Sequence, residues 1–151
     1  MMRLKELGHV LLRVLDLERS KKFYSDVLGF RILEEDPEHG GTFMALEGQS
    51  HSIDLFQVQD AESAERQTPG VRGLGHIAFR VETEAGLKDA YATLREHGVG
   101  ITRTIDHVSQ KSIYFHDPDG NTLEIYYELP DALEIFARGR NDRDVALDLK
   151  R

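Results

Sequence analysis

Apolar positions open the chain as a strand-like run at residues 7–14 and then switch to helical spacing. After Asp16, a helix N-cap residue type, Leu17, Phe23, Tyr24, Val27 and Leu28 form one stripe that Gly29 ends. Three short β-type runs follow at residues 30–34, 42–47 and 52–58. The turn-forming stretches Glu38-His39-Gly40-Gly41 and Gly48-Gln49-Ser50 divide them. The order is strand, helix, three strands.

The same order then recurs. Leu7-Gly8-His9-Val10-Leu11-Leu12-Arg13-Val14 reappears as Leu74-Gly75-His76-Ile77-Ala78-Phe79-Arg80-Val81, with five of eight positions identical. Tyr24 falls on Tyr91 at the same spacing, and with a small insertion Ile53-Asp54-Leu55 falls on Leu123-Glu124-Ile125. The chain is two copies of one unit, about residues 5–58 and 73–128. In the second copy Thr83 can cap a helix running through Leu94 and closed by His97-Gly98. Strands fit residues 100–104, 112–115 and 122–128, with Asp117-Pro118-Asp119-Gly120 as the last turn. A polar linker containing Thr68-Pro69-Gly70 joins the copies. A unit of about 55 residues is marginal alone, so two are expected to pack or pair their sheets within one domain over residues 1–130. Beyond it, residues 131–151 read as a short helix, 131–138, and a densely charged tail that is solvated or frayed.

Composition narrows the function classes. A net charge of −8 argues against a nucleic-acid backbone as partner, which needs clustered Lys and Arg. The absence of Cys removes disulfides, thiolate nucleophiles and zinc ribbons. The first apolar run meets Arg13 at once, so neither a signal peptide nor a membrane span is expected, and the protein reads as cytoplasmic.

The repeat changes the meaning of its histidines. His9 and His76 share one position of two related strands, and Asp54 and Glu124 share one position on the last strand of each copy. Strand side chains alternate faces, and a carboxylate flanked by Leu123 and Ile125 needs a cation or a proton if buried. Two imidazoles and one or two carboxylates suit a first-row divalent metal, and without thiolate the choice is Fe(II), Mn(II), Ni(II) or Zn(II). Arg13 and Arg80 are also repeat-related and read as partners for strand-end carboxylates; His39, His97 and His116 read as surface residues.

At these residues the sequence resembles the vicinal-oxygen-chelate superfamily, which includes glyoxalase I, type I extradiol dioxygenases, fosfomycin-resistance enzymes and bleomycin-resistance proteins. The resemblance implies an α+β fold of two tandem βαβββ modules forming a cupped mixed sheet around a metal site. Asp117-Pro118-Asp119-Gly120-Asn121-Thr122-Leu123-Glu124 is similar to the family's last hairpin and ligand strand. The longer pattern of Ile105-Asp106-His107, Ile113-Tyr114, Asp117-Pro118-Asp119-Gly120 and Glu124 resembles the extradiol dioxygenase signature. Carried over, it implies His9, His76 and Glu124 as metal ligands, with His107 and Tyr114 beside the substrate. His51 stands where those enzymes hold an acid/base histidine. The reaction implied is cleavage of a catechol-type aromatic diol by O2 with Fe(II) or Mn(II), and a homodimer is implied by resemblance alone.

Asp54 departs from the dioxygenase pattern, which usually has a small apolar residue there; glyoxalase I has a carboxylate, generally Glu, as a fourth ligand. A Lewis-acid lyase, isomerase or epimerase holding Ni(II) or Zn(II) with Asp54 is therefore the alternative. A metal-free ligand-sequestering protein, like the bleomycin-binding relatives, is the third reading, and joint retention of His9, His76 and Glu124 counts against it.

Overall fold

The first strand of each copy begins three residues later than its apolar run: β1 is Val10–Val14 and β5 is Ile77–Val81, so His9 and His76 each stand just before a strand. These elements come from a computed structural model that describes residues 2–60, 72–139 and 143–149. The expected Thr68-Pro69-Gly70 turn lies outside the described residues. The chain divides into two compact units, Met1–Arg66 and Gln67–Arg151.

In the first unit, β1 leads to α1 (Leu17–Asp26), β2 (Arg31–Asp36), β3 (Gly41–Ala45) and β4 (Ile53–Gln57). Asp16 caps α1 as expected, accepting from Arg19 N–H at 3.0 Å, and Gly29 leaves the helix at φ 75°. The sheet order is β1-β4-β3-β2, with β1 and β4 parallel and the other pairs antiparallel. A parallel pair needs a long crossover, here supplied by α1 and the hairpins. Ile53 and Leu55 of β4 are buried, as are Leu12, Val14, Tyr24 and Met44 in the same unit.

The second unit repeats the plan with β5, α2 (Glu84–Glu96), β6 (Ile101–Asp106), β7 (Gln110–His116) and β8 (Thr122–Glu128). Thr83 caps α2 through Gly86 N–H at 3.0 Å, and Gly98 follows it at φ 70°. Again the outer pair, β5 and β8, is parallel. The repeat extends to register: Asp54 lies opposite Leu11, and Glu124 opposite Ala78, the residue corresponding to Leu11. Both sheets are mixed and the class is α+β, as the resemblance implied. Arg80 binds Glu128 at 2.8 Å, the strand-end pairing expected of it. Among the described residues no helix is long and apolar enough to cross a membrane.

The tail differs from its expected solvated state. After α3 (Ala132–Arg138), β9 (Val145–Ala146) pairs antiparallel with Asp106 and Ile105 of β6, so the second sheet has five strands. Thr104 Oγ1 donates to Leu147 O at 2.6 Å, and Leu147 N–H donates to Thr104 O at 3.1 Å. Leu149 is buried. Backbone pairing of Val145 and Ala146, whose side chains are exposed, and one buried leucine hold the segment although charges dominate its composition.

Candidate functional site

Each unit sets a histidine beside the carboxylate of its parallel strand pair. In the first, His9 lies two residues before Leu11 and therefore on the face that Asp54 shares with it. His9 Nε2 stands 3.6 Å from Asp54 Oδ2, too far for a hydrogen bond. The Asp54 side chain is buried, and its Oδ1 has no hydrogen-bond partner. His51 completes the cluster. Its Nε2 lies 3.0 Å from His9 Nδ1, and its ring stacks on Phe43 at 5.8 Å between centroids. Phe43 is the register partner of Asp54, so the same face presents Asp54 and this aromatic ring together. Phe56 lies over Gly41, where an added Cβ would sit 2.4 Å from the ring, so glycine makes room for the second aromatic.

In the second unit the pair closes. His76 Nε2 is 3.0 Å from Glu124 Oε2, a contact that the longer glutamate side chain reaches and Asp54 does not. Glu124 is buried to 2% exposure, and its other oxygen accepts from Gln110 Nε2 at 3.0 Å. Tyr114, the register partner of Glu124, presents its phenol on that face, and His107 Nε2 lies 3.0 Å from the phenol oxygen. Arg103 covers the Tyr114 ring, its guanidinium carbon 4.3 Å from the centroid. His107 itself leads a tight turn: Ser109 N–H donates to His107 O at 2.8 Å, and Val108 between them has φ 70°. That is a γ-turn of the rarer, strained hand, at a β-branched residue.

Burial pushes the Tyr114 phenol up to about 12, with the nearby Glu124 carboxylate adding to it. The folded chain thus keeps this proton where an unfolded tyrosine, ionising near 10, has lost it. Stability from this group is full below pH 10 and is lost as pH rises toward 12. Phenolate absorbance of chelator-treated wild type, minus that of Tyr114→Phe, is expected to show one phenol titrating well above pH 10; a difference centred at 10 contradicts the burial argument.

Both carboxylates are withdrawn from water without a Lys or Arg beside them in the contacts described, and each faces an imidazole. A buried carboxylate with an oxygen lacking any donor, as in Asp54, is stabilised by a divalent cation. The nitrogen and oxygen donors fit such a metal. His9, His51 and Asp54 each offer an atom within 4.8 Å of the others.

Residues 6–125 match the sequence profile of the Glyoxalase/Bleomycin resistance protein/Dioxygenase superfamily. This chain belongs to that superfamily. Within it, the chain is 34% identical to biphenyl-2,3-diol 1,2-dioxygenase 3 of Rhodococcus globerulus over 79% of its own length and 61% of that enzyme's, less than two thirds of the relative. It is 38% identical to lactoylglutathione lyase of Haemophilus influenzae over 77% of this chain and 87% of that one. A glyoxalase/bleomycin resistance protein/dioxygenase domain from Frankia sp. EAN1pec superposes with a TM-score of 0.74 at 25% identity, over 85% of this chain and 95% of that one.

For a glyoxalase-superfamily chain, the residues singled out from sequence fall into two groups. His9, His51 and Asp54 cluster in one unit, and His76, Glu124, His107 and Tyr114 in the other. His39, His97 and His116 are exposed, His39 paired with Asp36 at 2.8 Å. Sequence reading missed Gln110 on Glu124, Arg103 on Tyr114, and Asp144, whose Oδ1 lies 2.9 Å from His107 Nδ1. Gln110 and Arg103 carried one available signal: they alternate in step with Tyr114 and its neighbours on the open face.

Proposed function

We propose that this protein is a metal-dependent extradiol dioxygenase that opens a catechol-type aromatic ring with O2. The observation that carries the reading is the His107–Tyr114 pair, 3.0 Å apart, with Tyr114 in register beside buried Glu124. The likeness to a biphenyl-diol dioxygenase supports it. The reading treats residues 1–130 as one functional domain and includes a cytoplasmic homodimer acting on a small aromatic diol.

The resemblance implies His9, His76 and Glu124 as the residues that would hold Fe(II), or Mn(II) in its place, and such a metal would supply the electron transfer between diol and O2. The residues do the rest. Tyr114, kept neutral by burial, and His107 hydrogen-bond a diol oxygen and fix the ring. Phe43 and Phe56 give apolar surface on the Asp54 face. His51 accepts a proton and returns it, work suited to an imidazole. Its contact with His9 Nδ1 also orients His9 so that Nε2 is turned to the Asp54 side.

A second reading has a specific observation behind it: Asp54, with its orphaned oxygen, as a further ligand in a Lewis-acid lyase or isomerase using Ni(II) or Zn(II). The likeness to a lactoylglutathione lyase supports that reading. One experiment separates the two. Anaerobic protein loaded with Fe(II) is treated with nitric oxide, and EPR spectra are recorded with and without catechol. A high-spin iron–nitrosyl signal reshaped by catechol is the expected result. Verified iron loading with no such signal means a closed coordination sphere and favours the Asp54 reading.

A further inference from the structure

A cleft of about 540 Å³ lies within the second unit, between the end of α2 and the start of β6, lined by Tyr91, Arg95, Ile101, Arg103 and Thr104. His76, Glu124, His107 and Tyr114 do not line it. Tyr91 and Arg95 are four residues apart on α2 and so share one face of the helix. Across from them, β6 is bulged between Ile101 and Arg103.

The repeat shows that this space has no equivalent at the matching position of the first unit. There Tyr24, the counterpart of Tyr91, is fully buried and packs edge-on against Phe30, 5.8 Å between centroids. In the second unit Val99 follows Gly98 where Phe30 follows Gly29. Tyr91 is half-buried, and among the described residues no second ring packs against it.

The charge of the lining is also unusual for this chain. It holds two guanidinium groups and no carboxylate, in a protein of net charge −8. Neither Arg95 nor Arg103 has a carboxylate partner among the described residues. Arg103 is instead held over the Tyr114 ring, 4.3 Å from its centroid, a contact that steadies the cation without neutralising it. Stacking uses the face of a guanidinium and leaves the N–H groups at its edge for an oxyanion. The end of α2 is the negative pole of the helix, so attraction for an anion must come from the two arginines.

We propose that this cleft binds a small organic anion, an apolar or aromatic body carrying a carboxylate. Arg95 and Arg103 take the carboxylate, whose planar oxygens match the guanidinium fork. Tyr91 and Ile101 meet the body. The volume falls in the range of organic-ligand pockets, roughly 300–1,000 Å³, and exceeds what an inorganic oxyanion fills. The site is separate from the histidine–carboxylate pairs and does not depend on the dioxygenase reading.

Chelator-treated protein at low ionic strength, titrated with benzoate and followed by NMR of the arginine side-chain N–H groups, tests the proposal. Benzoate is expected to shift the Arg95 and Arg103 signals, with an affinity that falls as salt is added. Arg95→Gln and Arg103→Gln are each expected to weaken binding about tenfold or more. Arg31→Gln, which removes the same charge from an exposed position of β2 in the first unit, is the control and is expected to bind like wild type. Benzamide, the neutral analogue, and inorganic phosphate, an anion without the body, are both expected to bind at least about tenfold more weakly than benzoate. Unmoved arginine signals, equal binding of benzamide or phosphate, or an equal loss in Arg31→Gln overturns the proposal.

Discussion

Glu124→Gln is expected to abolish stoichiometric Fe(II) binding while leaving the chelator-treated protein at least as stable as wild type. The two halves of this result have different causes. Glu124 is buried, and it meets the solvent-exposed His76 and one amide, Gln110, without a Lys or Arg among its described contacts. Withdrawing a carboxylate from water costs several kcal/mol in general, and a neutral side chain of the same shape relieves that cost. Gln at this position can still exchange hydrogen bonds with Gln110 and His76. What it lacks is the charge and the anionic oxygen that a hard divalent cation requires. Metal content after anaerobic loading and a urea titration of the chelated protein give both readings. Full metal retention removes Glu124 from the ligand set; a large loss of stability without metal shows that its role is structural.

His51→Ala separates the proton function from metal holding. Because the His51 ring is stacked on Phe43 and bonded to His9 Nδ1, its loss frees His9 to turn but removes no proposed ligand. Stoichiometric metal at saturating concentration is therefore expected to persist, with affinity weakened by about 10–100-fold. Turnover is expected to fall by about 10²–10⁴-fold, the usual cost of losing a positioned general acid or base. Single-turnover kinetics of the metal-loaded variant with catechol and O2 is the measurement. Loss of metal at saturation moves His51 into the ligand set with His9 and Asp54, a grouping their mutual distances of 4.8 Å or less allow. Unchanged turnover reduces it to a turn residue.

Most of the framework was readable because the repeat tests each element against its copy. Asp16 and Thr83 cap equivalent helices, and Gly29 and Gly98 follow them. The shared position of Asp54 and Glu124 on the last strand of each copy followed from the same comparison, whereas the parallel pairing of those strands with β1 and β5 is a finding of the structure. What escaped were features set by tertiary contact. β9 is two residues long in a charged segment, with no alternation to betray it. The turn between β6 and β7 contains neither Gly nor Asn, so β7 begins at Gln110, two residues before the strand the pattern suggested, and Gln110 went unnoticed. Asp144 reaches His107 across 37 positions of sequence, a separation that no local pattern encodes.

The left-handed Val108 bears on how this protein can be engineered. A valine at φ 70° carries backbone strain that glycine would not, and glycine there would let the turn relax into other shapes. A screen that selects variants only for heat tolerance would favour changes at this residue. Such a screen would also select for a slacker His107, since His107 and Ser109 are the two ends of the same hydrogen-bonded turn. Laboratory evolution of a hardier catalyst from this chain should therefore hold position 108 fixed, or score turnover alongside melting temperature from the first round.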